Sequence, residues 1–139
     1  MLSNKEEVHN FDTALGVLVK QPLDVQMNML PEIYLVFNDS CVHSEVMWGL
    51  LHYVESLGIE KYVPALVEAT PNLLRNASDW SEKFYIRLLN SEKGRDLLKS
   101  ILLSSPKDLL NAVDRILESI TQKRIDDLTK KVDFVLSKK

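Results

Sequence analysis

The residues best equipped for chemistry lie together in Asp39-Ser40-Cys41-Val42-His43. A thiol with a nearby imidazole is the minimum for a cysteine nucleophile, because the ring can take the thiol proton. Two things weigh against that use. Side chains two residues apart rarely meet in the required geometry, and a reactive thiolate needs an electropositive setting. This stretch lies in the acidic half of the chain, so it reads as a helix-connecting loop with a half-buried cysteine. His9, His43 and His52 show neither H-E-x-x-H nor H-x-x-x-H spacing, which removes the local metal-ligand patterns. A single cysteine excludes a disulfide framework and a cysteine-cluster zinc site. Four glycines, none clustered, build no G-x-G-x-x-G, Walker or G-x-S-x-G loop. No catalytic residue, cofactor or metal is therefore expected.

Binding chemistry is better represented. The net charge is −3, but it is unevenly divided. Residues 1–68 hold three basic and ten acidic residues, a net of −7, while residues 69–139 hold fourteen and ten, a net of +4. An acidic half disfavours nucleic acid and suits a basic partner, though it also fits a plain solvated face. Trp is a frequent interface anchor and equally a large core residue. Trp48 has Glu45 and His52 one helical turn away, which sets it at the edge of an apolar stripe. Trp80, with Ala77 and Phe84 at the same spacings, reads as core. Lys123, Arg124, Lys130, Lys131, Lys138 and Lys139 form one basic cluster, interleaved with Asp126, Asp127 and Asp133. That is the pattern of a charged helix face with i,i+4 pairs rather than of a nucleic-acid surface.

These residues need helices to position them. A chain of 139 residues is one ordinary domain, taken here as 1–139, and it buries about two thirds of its unfolded surface without a staple. Ser3-Asn4-Lys5-Glu6 fits a capping box, followed by Val8, Phe11, Leu15 and Leu18 on one face. Pro22 and Pro31 each open a further short helix, the second carrying Ile33, Tyr34, Leu35 and Phe37. Ser44 is the expected N-cap of a helix with Val46, Met47, Leu50, Leu51 and Val54 inward, stopped by Gly58. Pro64 and Thr70-Pro71 mark two more starts, the latter running through Trp80 toward Asn90 with a break near Ser78. Ser91 and Ser105-Pro106 cap the last two segments. The final one carries apolar residues from Leu110 to Val135 at a mean step of about 3.6, which is an ordinary amphipathic helix, with a break near Gln122. No run alternates like a strand. A shift of 38 residues superposes Val46-Met47 on Phe84-Tyr85 and Leu50-Leu51 on Leu88-Leu89. The expected fold is thus all-α: stacked antiparallel helical hairpins, loosely HEAT-like, with about seven helices and a long C-terminal helical segment.

One stretch resembles a known family. Leu50-Leu51-His52-Tyr53-Val54-Glu55-Ser56-Leu57-Gly58, then Tyr62-Val63, Thr70-Pro71-Asn72-Leu73-Leu74, Ala77-Ser78-Asp79-Trp80-Ser81-Glu82 and Arg87-Leu88-Leu89-Asn90-Ser91 is similar to the immunity protein 30 family of bacterial polymorphic toxin systems. The likeness covers roughly residues 45–103. It implies a small all-α cytoplasmic protein without catalytic activity, which binds and neutralises a cognate toxin domain. Glu55, Trp80, Arg87 and Asn90 match its motif and are expected to be mainly architectural.

The motif does not identify the partner-facing surface, but charge supplies an expectation. Toxin domains that cut nucleic acid tend to be basic, and an acidic inhibitor gains on-rate against them. Asp39, Glu45, Trp48, Glu55 and Glu60 are the expected contacts, with Glu32 and His52 behind them. A helical-repeat adaptor with a different protein partner is the alternative, and a small enzyme using Cys41 and His43 stands third. No run is apolar enough to span a membrane, and the first residues lack the pattern of a signal peptide, so a cytoplasmic protein without nucleic-acid or membrane partners is expected.

Overall fold

The computed structural model describes residues 5–41, 43–122 and 126–136, with backbone alone for 5–8 and 126–129. Among these residues the chain is all-α, with nine helices and no strand. They are α1 (Lys5–Leu18), α2 (Leu23–Asn28), α3 (Leu30–Val36), α4 (Ser44–Ser56), α5 (Ile59–Asn76), α6 (Ser78–Leu89), α7 (Glu92–Leu103), α8 (Lys107–Gln122) and α9 (Asp126–Leu136). Ser3, Asn4, Val42, Lys123, Arg124, Lys138 and Lys139 lie outside the described residues, as do the side chains of Val8, Asp126 and Asp127. The capping box and most of the basic cluster fall there.

Packing follows the apolar spacing. Val46, Met47, Leu50, Leu51 and Val54 of α4 are all buried, as are Phe84, Tyr85, Leu88 and Leu89 of α6. One hydrophobic cluster runs from Leu30 to Val135. Sequential helices pack on one another, α5 on α6, α6 on α7 and α8 on α9, and α8 also lies across α5 and α6. Leu136 and Leu110 line one pocket, so α9 folds back along α8. The long C-terminal segment is therefore two helices.

Gly58 ends α4 at φ +95° and ψ 141°, a conformation open essentially to glycine, and α5 starts on the next residue. From there α5 differs from the sequence expectation. Pro64 and Pro71 do not open helices; both lie inside one 18-residue helix. Its buried face is Tyr62, Val63, Leu66, Val67, Thr70 and Leu73, which continues through both prolines. A proline inside a helix costs about 3 kcal/mol or more, and burial of several large side chains at roughly 1.5–3 kcal/mol each outweighs it. Thr70 is consequently no N-cap. It is fully buried, and its hydroxyl meets the Leu66 carbonyl and the Tyr85 hydroxyl, each at 2.7 Å.

Two other caps differ. Ser44 is the first helical residue of α4, whose N-cap is His43 with no side-chain hydrogen bond. The Ser105 hydroxyl donates backward to the Ile101 carbonyl at 2.7 Å, closing α7 rather than starting α8. Ser91 caps as expected, its Oγ accepting from the Gly94 N–H at 3.1 Å. A Cβ on Gly94 would lie 2.7 Å from the Leu88 carbonyl oxygen, so this close crossing of α6 and α7 needs glycine.

Candidate functional site

Two of the residues expected to meet a partner hold the fold together, and Asp39 and Trp48 both meet Trp80. Asp39 follows α3 in an exposed loop and reaches the start of α6. Its carboxylate accepts from the Asp79 N–H at 3.0 Å and the Trp80 N–H at 3.3 Å, two donors with no partner inside the helix. The Asp39 N–H donates to the Asn76 carbonyl at 3.0 Å. This loop therefore caps a helix that begins 39 residues further along the chain, and the anion sits at the positive end of the α6 dipole.

Glu55, in the last turn of α4, makes a two-point ion pair with Arg87 of α6, at 2.7 Å to Nε and 2.9 Å to an Nη. The hydrogen bonds to Glu55 raise the Arg87 pKa above its usual value. Tyr62 lies beside the pair. Burial first, and then the Glu55 charge, push its pKa up to about 12. Arg87 thus takes a carboxylate as its partner. Asn90 is the C-cap of α6, and its side-chain oxygen accepts from Lys131 Nζ at 3.0 Å, tying α6 to α9.

The remaining expected residues face outward. Glu45 is 72 % exposed and lies 3.3 Å from His43 Nδ1. Glu60, Glu32 and His52 are exposed on α5, α3 and α4. Trp48 is half-buried. Its ring stacks edge-on against Trp80 at 5.1 Å and lies 6.0 Å from His52. Trp80 is core, 6 % exposed, and lies 6.0 Å from Phe37. An aromatic chain thus connects Phe37, Trp80 and Trp48.

The Cys41 thiol donates to the His43 carbonyl at 3.7 Å, while the His43 ring turns to Glu45. In these contacts thiol and imidazole meet different partners. Among the described residues no group of three histidine, cysteine, aspartate or glutamate side chains is placed to hold a metal ion.

One surface escaped the sequence reading. Between α3 and α5 lies a groove of about 260 Å³, with Leu35 at its rim, Tyr34 and Phe37 as one wall and Ala65 and Ala69 on the other helix. Leu35 is 60 % exposed. Helical spacing held the signal: Leu30, Ile33, Tyr34 and Phe37 share one face, and Leu35 is off it.

No described helix is long and apolar enough to cross a membrane. No curated protein and no solved structure matches the chain. A family model does, and its match extends well beyond the stretch from Leu50 to Ser91, taking in the acidic half, the Asp39 loop and both partners of the Glu55–Arg87 pair. That model is Immunity protein 30, matched over residues 1–98, and the chain belongs to this family.

Proposed function

We propose that this protein is a non-catalytic immunity protein, which binds a cognate toxin domain of basic character in the cytoplasm and blocks it by steric and electrostatic occlusion. The observation that carries this is the family match over residues 1–98, since the family is one of immunity proteins of toxin systems. The charge division supports the electrostatic part. Among the described residues of the N-terminal half, Asp12, Asp24, Glu32, Glu60 and Glu68 make no ion pair, so their field reaches solvent. Glu45, Glu60 and the half-buried Trp48 are the contacts we propose from the expected set. Asp39 and Glu55 act through the fold.

An immunity gene should lie beside one for a large secreted protein with a toxin domain at its C-terminus, and co-expression with that domain tests the proposal. Growth should be rescued and the two proteins should co-purify. Cys41→Ser and His43→Ala should protect as well as the wild type, since neither supplies catalysis. Absence of rescue and of co-purification would overturn the immunity reading.

A further inference from the structure

Large apolar side chains are exposed in one part of this protein far more than elsewhere. Among the described residues nine are exposed, and seven of these, Val17, Val19, Leu23, Val25, Met29, Leu35 and Val36, fall between residues 17 and 36. Exposed apolar surface marks an interaction site where it borders a shaped depression. Leu35 meets that condition, since it lines the α3–α5 groove. Both sides are pinned: the Tyr34 hydroxyl donates to the Tyr62 carbonyl at 2.9 Å, and the Asp39 N–H to that of Asn76 at 3.0 Å. The small side chains of Ala65 and Ala69 leave the groove open. The pocket is thus formed before a partner arrives, which lowers the cost of binding.

Charge chooses the occupant. Glu68 is the one charged residue lining the groove, it is exposed, and it makes no ion pair among the described residues. Glu32 is exposed beside Pro31 of the lining. Covering Glu68 with a purely apolar partner would leave a carboxylate without water or counter-charge, which is costly. A partner with a cation at that point removes the cost and gains on-rate.

We infer that the α3–α5 groove is the anchor pocket for the toxin domain. It takes one large apolar side chain flanked by a lysine or arginine that meets Glu68. This rests on the immunity reading above. Leu35 and Glu68 are its specificity-determining residues, and Leu35 supplies the greasy rim.

The test measures binding of the purified C-terminal toxin domain to the full-length protein by calorimetry. Leu35→Ser with Glu68→Lys should weaken binding by at least about tenfold, as loss of an anchor contact does. Both side chains are exposed, so the variant should melt where the wild type does. Glu118→Lys, on the exposed face of α8, should change binding by less than about twofold. If the double variant binds as the wild type does, the groove is overturned and the immunity reading stands. A wild type that binds no toxin domain overturns both. Self-association that Leu35→Ser abolishes would assign the groove to a second copy of the chain and overturn the toxin anchor.

Discussion

A carboxylate that the fold already engages has less charge to offer a partner, and at residue scale this separates the acids expected at the interface. Asp39 and Glu55 were expected at the interface with Glu45 and Glu60. Their charges are already used, one on two N–H groups of α6 and the other on the Arg87 guanidinium. No local pattern could reveal the first use, since a cap is sought within a few residues of its helix and Asp39 is 39 residues from Ser78. The second joins two residues of the family motif, but nothing in the sequence paired Glu55 with Arg87. Asp39→Ala should therefore lower stability by about 1 kcal/mol, the usual cost of a lost N-cap. Urea unfolding followed by far-UV circular dichroism would measure it, and toxin affinity should be unchanged. The reverse result, intact stability with weakened binding, would return Asp39 to the interface.

Helices were legible wherever burial and local punctuation agree. The α4 stripe, the Gly58 stop and the Ser91 cap all came from agreement between apolar period and terminal residue. They disagree in α5. Pro64 and Thr70-Pro71 look like starts, yet the apolar face continues through them from Tyr62 to Leu73. Tertiary burial settles such a conflict, and one segment of sequence does not show which surfaces will be covered. The same holds at Ser105, whose hydroxyl could serve either helix and closes α7. A strained element offers a direct test. Pro64 is exposed and deep enough in α5 to have an N–H partner if it had an N–H. Replacing it with alanine restores that bond and removes a penalty of about 3 kcal/mol. The freer unfolded chain takes back up to about 1 kcal/mol. Pro64→Ala should accordingly raise the unfolding free energy by about 2 kcal/mol in urea, while Leu66→Ala, which empties a fully buried site, should lower it by about 2–5 kcal/mol.

For the whole molecule, the division of charge into −7 and +4 matters more than their sum. Folding could have cancelled it by pairing acids of one half with bases of the other. Among the described residues Glu55–Arg87 is the one ion pair that joins the two halves, so most of the acidic excess stays at the surface. Such a surface acts over about a Debye length, roughly 10 Å at 0.1 M salt, and its effect falls on association before any contact forms. Charge reversal at Glu45 and Glu60 tests this at two exposed side chains; both stand in the first turn of a helix, so unfolding in urea is measured alongside to separate a stability loss from slower association. Stopped-flow association with the toxin domain should be slower by about tenfold for the Glu45→Lys/Glu60→Lys pair at low salt. The gap should close as salt rises, and the dissociation rate should change much less. Glu118→Lys adds the same sign of charge to the basic half and should leave the on-rate nearly unchanged. Slowing in proportion to the charge added, twice as much for the pair as for Glu118→Lys, would mean that only net charge counts. An on-rate indifferent to salt and to both substitutions would detach the acidic half from recognition, leaving apolar anchoring in the α3–α5 groove to carry the complex.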